Sequence, residues 1–165
     1  MEFDDLIGPL LEREGGYSNR KADRGGPTNM GVTQRVFDEW LGSHGKPVRD
    51  VKTLTRDEAV SLYFELYWKK SNCHALPPAV REIHFDAAVN HGVVRAAKLL
   101  QDAAGATADG VIGKATLAAV FAMPPLLLLA RYAVMRYRFY GKIIARDKSQ
   151  LENISGWLNR MEHFG

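Results

Sequence analysis

Apolar residues recur at helical spacing from the start of the chain. Phe3, Leu6, Ile7, Leu10 and Leu11 stand at i, i+3, i+4, i+7 and i+8, which is one stripe of an amphipathic helix. Carried on by close to three turns from Phe3, the stripe arrives at Glu14. Gly15 and Gly16 then end the helix, as glycines at a C-terminus do. Residues 15–31 change to Gly, Asn, Ser and Pro, a turn and short-hairpin composition.

Helical patterns resume after the hairpin. Thr33 is placed to cap a short helix facing inward through Val36, Phe37, Trp40 and Leu41 and closed by Gly42. Residues 42–54 read as a loop. Thr55-x-x-Glu58 is a capping-box pattern that opens a helix through about Lys70, with Ala59, Leu62, Tyr63, Leu66 and Tyr67 inward. Tyr67 and Trp68 suit a sugar site, but aromatics at this spacing are more often core. Pro77-Pro78 starts a helix with Ile83, Ala87, Asn90 and His91 near one face. Another runs from about Val94 to Gln101, and Asp109-Gly110 to Gly113 is a tight turn. A long helix from about Pro125 to Lys148 carries Leu126, Leu129, Ala133, Tyr137, Tyr140 and Ile144 on one stripe, and a last one surrounds Ile154, Trp157, Leu158 and Met161. The fold class is mainly α with one small β-hairpin.

Glu14 sits on the inward side of its helix at the C-terminal end. Apolar surroundings and the negative end of the helix dipole both favour its protonated form, as a general acid near neutral pH requires. The alternative is a solvated glutamate paired with Arg13 or Arg20. The hairpin that follows carries Asp23 and Thr28. Two carboxyls about 6.5–9.5 Å apart, with a water between them, make an inverting glycosidase site. Asp23 also has a reading as a turn aspartate bonding its own backbone, and Thr28 as an ordinary strand hydroxyl.

The segment Glu14-Gly15-Gly16-Tyr17, Asp23-x-Gly25-Gly26-x-Thr28, Gly31-Val32-Thr33 resembles the active-site signature of the glycoside hydrolase 108 muramidases. Pro27 and Val32 stand where the family often has a small residue and Ile. The order Glu, Asp, Thr is also similar to the catalytic triad of phage-type lysozymes. The resemblance implies a lysozyme-like helical fold of two lobes and cleavage of the β-1,4 bond from N-acetylmuramic acid to N-acetylglucosamine. Glu14 would be the acid, Asp23 and Thr28 would place the water, and Tyr17 would touch substrate.

A second segment, Asp86 to Gly92, then Ala97-x-x-Leu100-Gln101 and Asp109-Gly110-x-Ile112-Gly113-x-x-Thr116-Leu117, looks like the peptidoglycan-domain module that usually follows this signature. It implies Asn90, His91, Gln101 and Asp109 as cleft residues, although Asp109-Gly110 also has a purely structural turn reading. The two resemblances divide the chain into a muramidase region, 1–80, and a helical peptidoglycan-domain-like lobe, 81–165. No linker separates them, so one integrated domain is expected.

Composition changes this picture little. Apolar content of 46% and charged content of 25% over 165 residues suit a soluble globule of one domain. A single cysteine, Cys73, excludes an internal disulfide and reads as a packing residue. His44, His74, His84, His91 and His163 form no metal-ligand spacing, so neither metal nor cofactor is expected. The net charge is +3, with Arg131, Arg136, Arg138, Lys142, Arg146 and Lys148 concentrated in residues 131–148. Such a surface suits anionic wall polymers or phospholipid headgroups, or is simply a solvated helix face. No nucleic-acid motif accompanies it.

The acidic start, Met1-Glu2-Phe3-Asp4-Asp5, is unlike a signal peptide, and the apolar run 120–134 is too short to span a bilayer. The expectation is a monomer made in the bacterial cytoplasm, acting on peptidoglycan glycan strands in the periplasm after release by a holin-like partner. Phage-driven lysis and wall remodelling for protein secretion both fit. A non-catalytic wall-binding module and a membrane-disrupting protein using residues 131–148 are the rival classes.

Overall fold

The computed structural model describes residues 1–19 and 26–164. The expected fold class is borne out: helices dominate, with one two-stranded antiparallel hairpin. The chain divides into two compact units, Glu2–Leu66 and Tyr67–Gly165, with Met1 grouped with the second.

In the N-terminal unit, α1 (Phe3–Glu14) buries the five stripe residues Phe3, Leu6, Ile7, Leu10 and Leu11. Pro9 lies inside α1 without breaking it. Gly15, at φ +72°, turns the chain out of the helix while its N–H still donates to the Leu11 carbonyl at 3.3 Å. The hairpin follows: β1 (Thr28–Asn29) pairs with β2 (Val32–Thr33) in the register Thr28 to Thr33 and Asn29 to Val32. Met30 at φ 48° and Gly31 at φ 75° form its turn, with both central residues left-handed as a tight hairpin requires. Ser18 bridges the other side of Thr28 through backbone bonds of 2.8 and 2.9 Å.

Polar side chains hold this hairpin in place. Thr33 caps α2 (Gln34–Ser43) by accepting from the Val36 N–H at 3.4 Å. Gln34 donates to the Arg49 carbonyl at 2.8 Å and accepts from the Val51 N–H at 2.7 Å. Asn29 donates to the Val51 carbonyl at 3.1 Å, so a buried asparagine fastens β1 to the loop before α3. The Thr55–Glu58 capping box opens α3 (Arg56–Tyr63) as the sequence predicts.

The expected single helix to about Lys70 is not what forms. After Tyr63 the chain widens into a π-type stretch, Phe64–Lys69. Bonding one residue further along the chain, i to i+5, changes which side chains point inward there. Trp68 is buried and Tyr67 only half-buried. Trp68 meets Phe85 edge-on at 5.6 Å between ring centroids, which is the core role rather than a sugar-binding one.

In the C-terminal unit, α4 (Pro78–His91), α5 (Val93–Ala104), α6 (Lys114–Phe121), α7 (Pro125–Arg146) and α8 (Ile154–Glu162) enclose a core that includes Ile83, Ala87, Leu100, Leu128, Tyr132 and Tyr140. The predicted stripe of α7 requires correction. Its buried residues are Leu128, Tyr132, Arg136 and Tyr140, while Leu126 and Tyr137 are exposed. The reason is electrostatic. Arg136 is 0% exposed and donates to Asp86 Oδ2 at 2.7 Å, and Asp86, itself 2% exposed, also accepts from Arg160 at 3.0 Å. Pairing brings inward an arginine that hydrophobicity alone places outside. Arg136 therefore drops out of the exposed basic run. No single helix among the described residues is long and apolar enough to cross a membrane.

Candidate active site

The N-terminal unit presents Glu14 where α1 stops, and the side chain is half-buried. The hairpin turn lies directly against it. A Cβ added to Gly31 would stand 2.8 Å from Glu14 Oε2 and 2.5 Å from the Tyr63 hydroxyl oxygen. The carboxylate, the turn backbone and the tyrosine hydroxyl thus converge on one point that only glycine leaves open. The Tyr63 hydroxyl also donates to the Met30 carbonyl at 3.0 Å. Helix α3 thereby grips the same turn that backs the acid.

Thr28 belongs to this hairpin, paired with Thr33 and bridged to Ser18. Tyr17 is on the segment between α1 and the hairpin, exposed, with Lys52 Nζ 5.6 Å from its ring centroid. Asp23 lies outside the described residues. The structure thus joins Glu14 to the hairpin that carries Thr28. It adds Tyr63, whose helical spacing marks it as core and whose hydroxyl reaches the turn. A buried tyrosine needs a partner for its hydroxyl, the one signal that distinguished it from phenylalanine.

The other four candidates lie in the C-terminal unit. Gln101 is fully buried, and its amide donates to Asp109 Oδ1 at 2.7 Å, to Thr116 Oγ1 at 3.0 Å and to the Val111 carbonyl at 3.1 Å. Its carbonyl accepts from the Gly110 N–H at 2.8 Å. Asp109 also accepts from the Val111 N–H at 2.8 Å, and these two donors hold its carboxyl below the usual range. Gln101 and Asp109 therefore brace the turn ahead of α6.

Asn90 is exposed and donates to the Asp86 carbonyl within its own helix at 2.7 Å. His91 is half-buried between Phe139 and Tyr140, with centroid separations of 5.0 and 5.4 Å. Burial, reinforced by the nearby Arg136 charge, pushes its ring down to about 4, so it is neutral at pH 7. Burial likewise pushes the Cys73 thiol up to about 12, which makes it a packing group and no nucleophile. Among the described residues no three His, Cys, Asp or Glu side chains come together to hold a metal ion.

Residues 7–92 match the family described as Glycosyl hydrolase 108, and residues 95–162 match the family described as Predicted Peptidoglycan domain. A search of curated proteins returns no match. Among solved structures, that of Brucella abortus SagA is similar at 32% identity and a TM-score of 0.86, over 98% of this chain and 90% of that one. With the Glu14 hairpin inside the first matched segment, the chain belongs to the glycosyl hydrolase 108 family, with a C-terminal peptidoglycan domain, and is a glycoside hydrolase that acts on peptidoglycan.

Proposed function

We propose that the protein is an N-acetylmuramidase that cleaves the β-1,4 bond between N-acetylmuramic acid and N-acetylglucosamine. The observation that carries this reading is the packing of the Glu14 carboxylate, at the end of α1, against the Gly31 turn of the Thr28 hairpin. Glu14 donates its proton to the glycosidic oxygen as positive charge develops on the sugar ring. Asp23 as carboxylate, with the Thr28 hydroxyl, holds the attacking water on the opposite face, and the product is inverted. Tyr17, with its exposed ring, is the residue that would touch the sugar. The enzyme is a monomer that reaches the wall with the help of a membrane-permeabilising partner, in a lytic role.

The test is digestion of purified peptidoglycan by wild type and Glu14→Gln, followed by borohydride reduction and mass spectrometry. Reduced N-acetylmuramic acid ends from wild type and none from the variant are expected. Reduced N-acetylglucosamine ends would move the cleavage to the other glycosidic bond, and full digestion by the variant would remove Glu14 as the acid. Asp23→Ala is expected to lose most turnover, and near-normal rates would end its water-holding role.

A further inference from the structure

Helices α5 and α7 leave between them a half-open groove of about 420 Å³. Its walls carry Arg95 and Lys98 from α5 and Arg131, Arg138 and Lys142 from α7, against a single carboxylate, Asp102. Its floor is apolar, with Leu99 buried and Met135 and Phe139 half-buried. A second hollow of about 400 Å³ continues it along α5, from His91 to Lys98, sharing Arg95 and Lys98. Among the described residues none of the five cations forms an ion pair. The Arg95 guanidinium instead lies 5.0 Å from the Phe139 ring centroid, which holds it at the groove wall.

Clustered cations over low-dielectric walls focus a positive potential into the groove and raise the local concentration of anions. Guanidinium and ammonium groups on both walls suit a ligand with several separated carboxylates, and the apolar floor suits methyl groups between them. We propose that this groove binds the peptide stems of peptidoglycan through their free carboxylates. The stem has the required alternation: an alanine methyl, the free carboxyl of a γ-linked glutamate, a diamino acid and a terminal alanine carboxylate. The identity of the ligand rests on the peptidoglycan-hydrolase reading, since residues 95–162 match a peptidoglycan domain and include every cation of the groove. A bilayer surface fits less well, because a concave groove of this size admits a chain end rather than a plane of headgroups.

The experiment titrates the full chain with the free stem tetrapeptide alanyl-γ-glutamyl-diaminopimeloyl-alanine, followed by amide NMR shifts. Saturable binding is expected, with shifts centred on Arg95, Lys98, Arg138 and Phe139. It should weaken about tenfold or more in an Arg138→Gln, Lys142→Gln double variant, and fall with added salt. The same peptide with its carboxylates amidated is expected not to bind, a control that needs no variant. No saturation at millimolar peptide, equal binding of the amidated peptide, or shifts elsewhere would each overturn the proposal. Capture by phosphatidylglycerol vesicles without peptide binding would overturn it in favour of a membrane ligand. Wild-type digestion of peptidoglycan is measured separately. Peptide binding without digestion would leave the groove standing and remove the muramidase reading, and digestion without peptide binding would do the reverse.

Discussion

Gly31 and Glu14 meet so closely that a single added carbon at position 31 would sit 2.8 Å from the carboxylate oxygen. The hairpin turn is therefore the wall against which the acid rests. Gly31 also has φ +75°, where any other residue is strained. Gly31→Ala should cost about 1–2 kcal/mol of stability and lower hydrolysis at least tenfold by displacing Glu14. Gly42→Ala, in α2 with nothing within 4 Å of an added Cβ, is the control. Thermal unfolding and peptidoglycan turnover measured on both would expose the idea as wrong if the two variants behaved alike.

Tyr63→Phe removes the hydroxyl that donates to the Met30 carbonyl and keeps the ring. A loss of about 1 kcal/mol in urea unfolding is expected, together with a fall in kcat at near-constant KM. A rise in KM alone would assign Tyr63 to substrate affinity instead of to holding the turn.

Asp86 is the shared anion for two arginines, one of them fully buried. Asp86→Ala strands the Arg136 charge in the core and should destabilise the protein by about 3–5 kcal/mol. Adding Arg136→Met to that variant should recover part of the loss. If the double variant is no more stable than the single one in urea titration, the buried charge is not the cause.

His84 and His91 are both pushed down to about 4 by burial. The unfolded chain protonates its histidines near 6.5. Between about pH 6.5 and 4 the unfolded state binds more protons, so stability is full above that window and falls as pH drops through it. For His84, which is fully buried, the loss by pH 4.5 should be about 2–3 kcal/mol. His91→Phe keeps a ring against Phe139 and Tyr140 and removes one proton-linked group. Urea midpoints from pH 4.5 to 7.5 should give a flatter profile for that variant, and an unchanged slope would dismiss His91 as a contributor.

Local patterns were legible where burial follows local hydrophobicity. The five apolar residues of α1 are the ones buried, the Thr55–Glu58 box caps α3, and Glu14 falls where stripe and glycines indicated. The α7 stripe was not legible, because the inward place of Arg136 depends on Asp86, 50 residues away in sequence. Exposed Leu126 and Tyr137 then look like core to any periodicity argument. The π-type stretch has no sequence signature, so the inward place of Trp68 could not be read from spacing. In the site, Gly31 could be recognised as part of a motif. Its reason, the contact with Glu14 and Tyr63, exists only in three dimensions.

The Asp86 cluster also bears on the order in which this chain acquires its structure. Its two arginine partners lie 50 and 74 residues downstream, so the carboxylate waits for both while the chain is synthesised. Closing such long loops is entropically slow compared with winding the helices that carry the three residues. The C-terminal unit should therefore pass through a state with helices formed and its buried carboxylate still hydrated. Emergence of Arg160 completes the pairing, which makes α8 a late, cooperative latch on an otherwise preassembled helical unit.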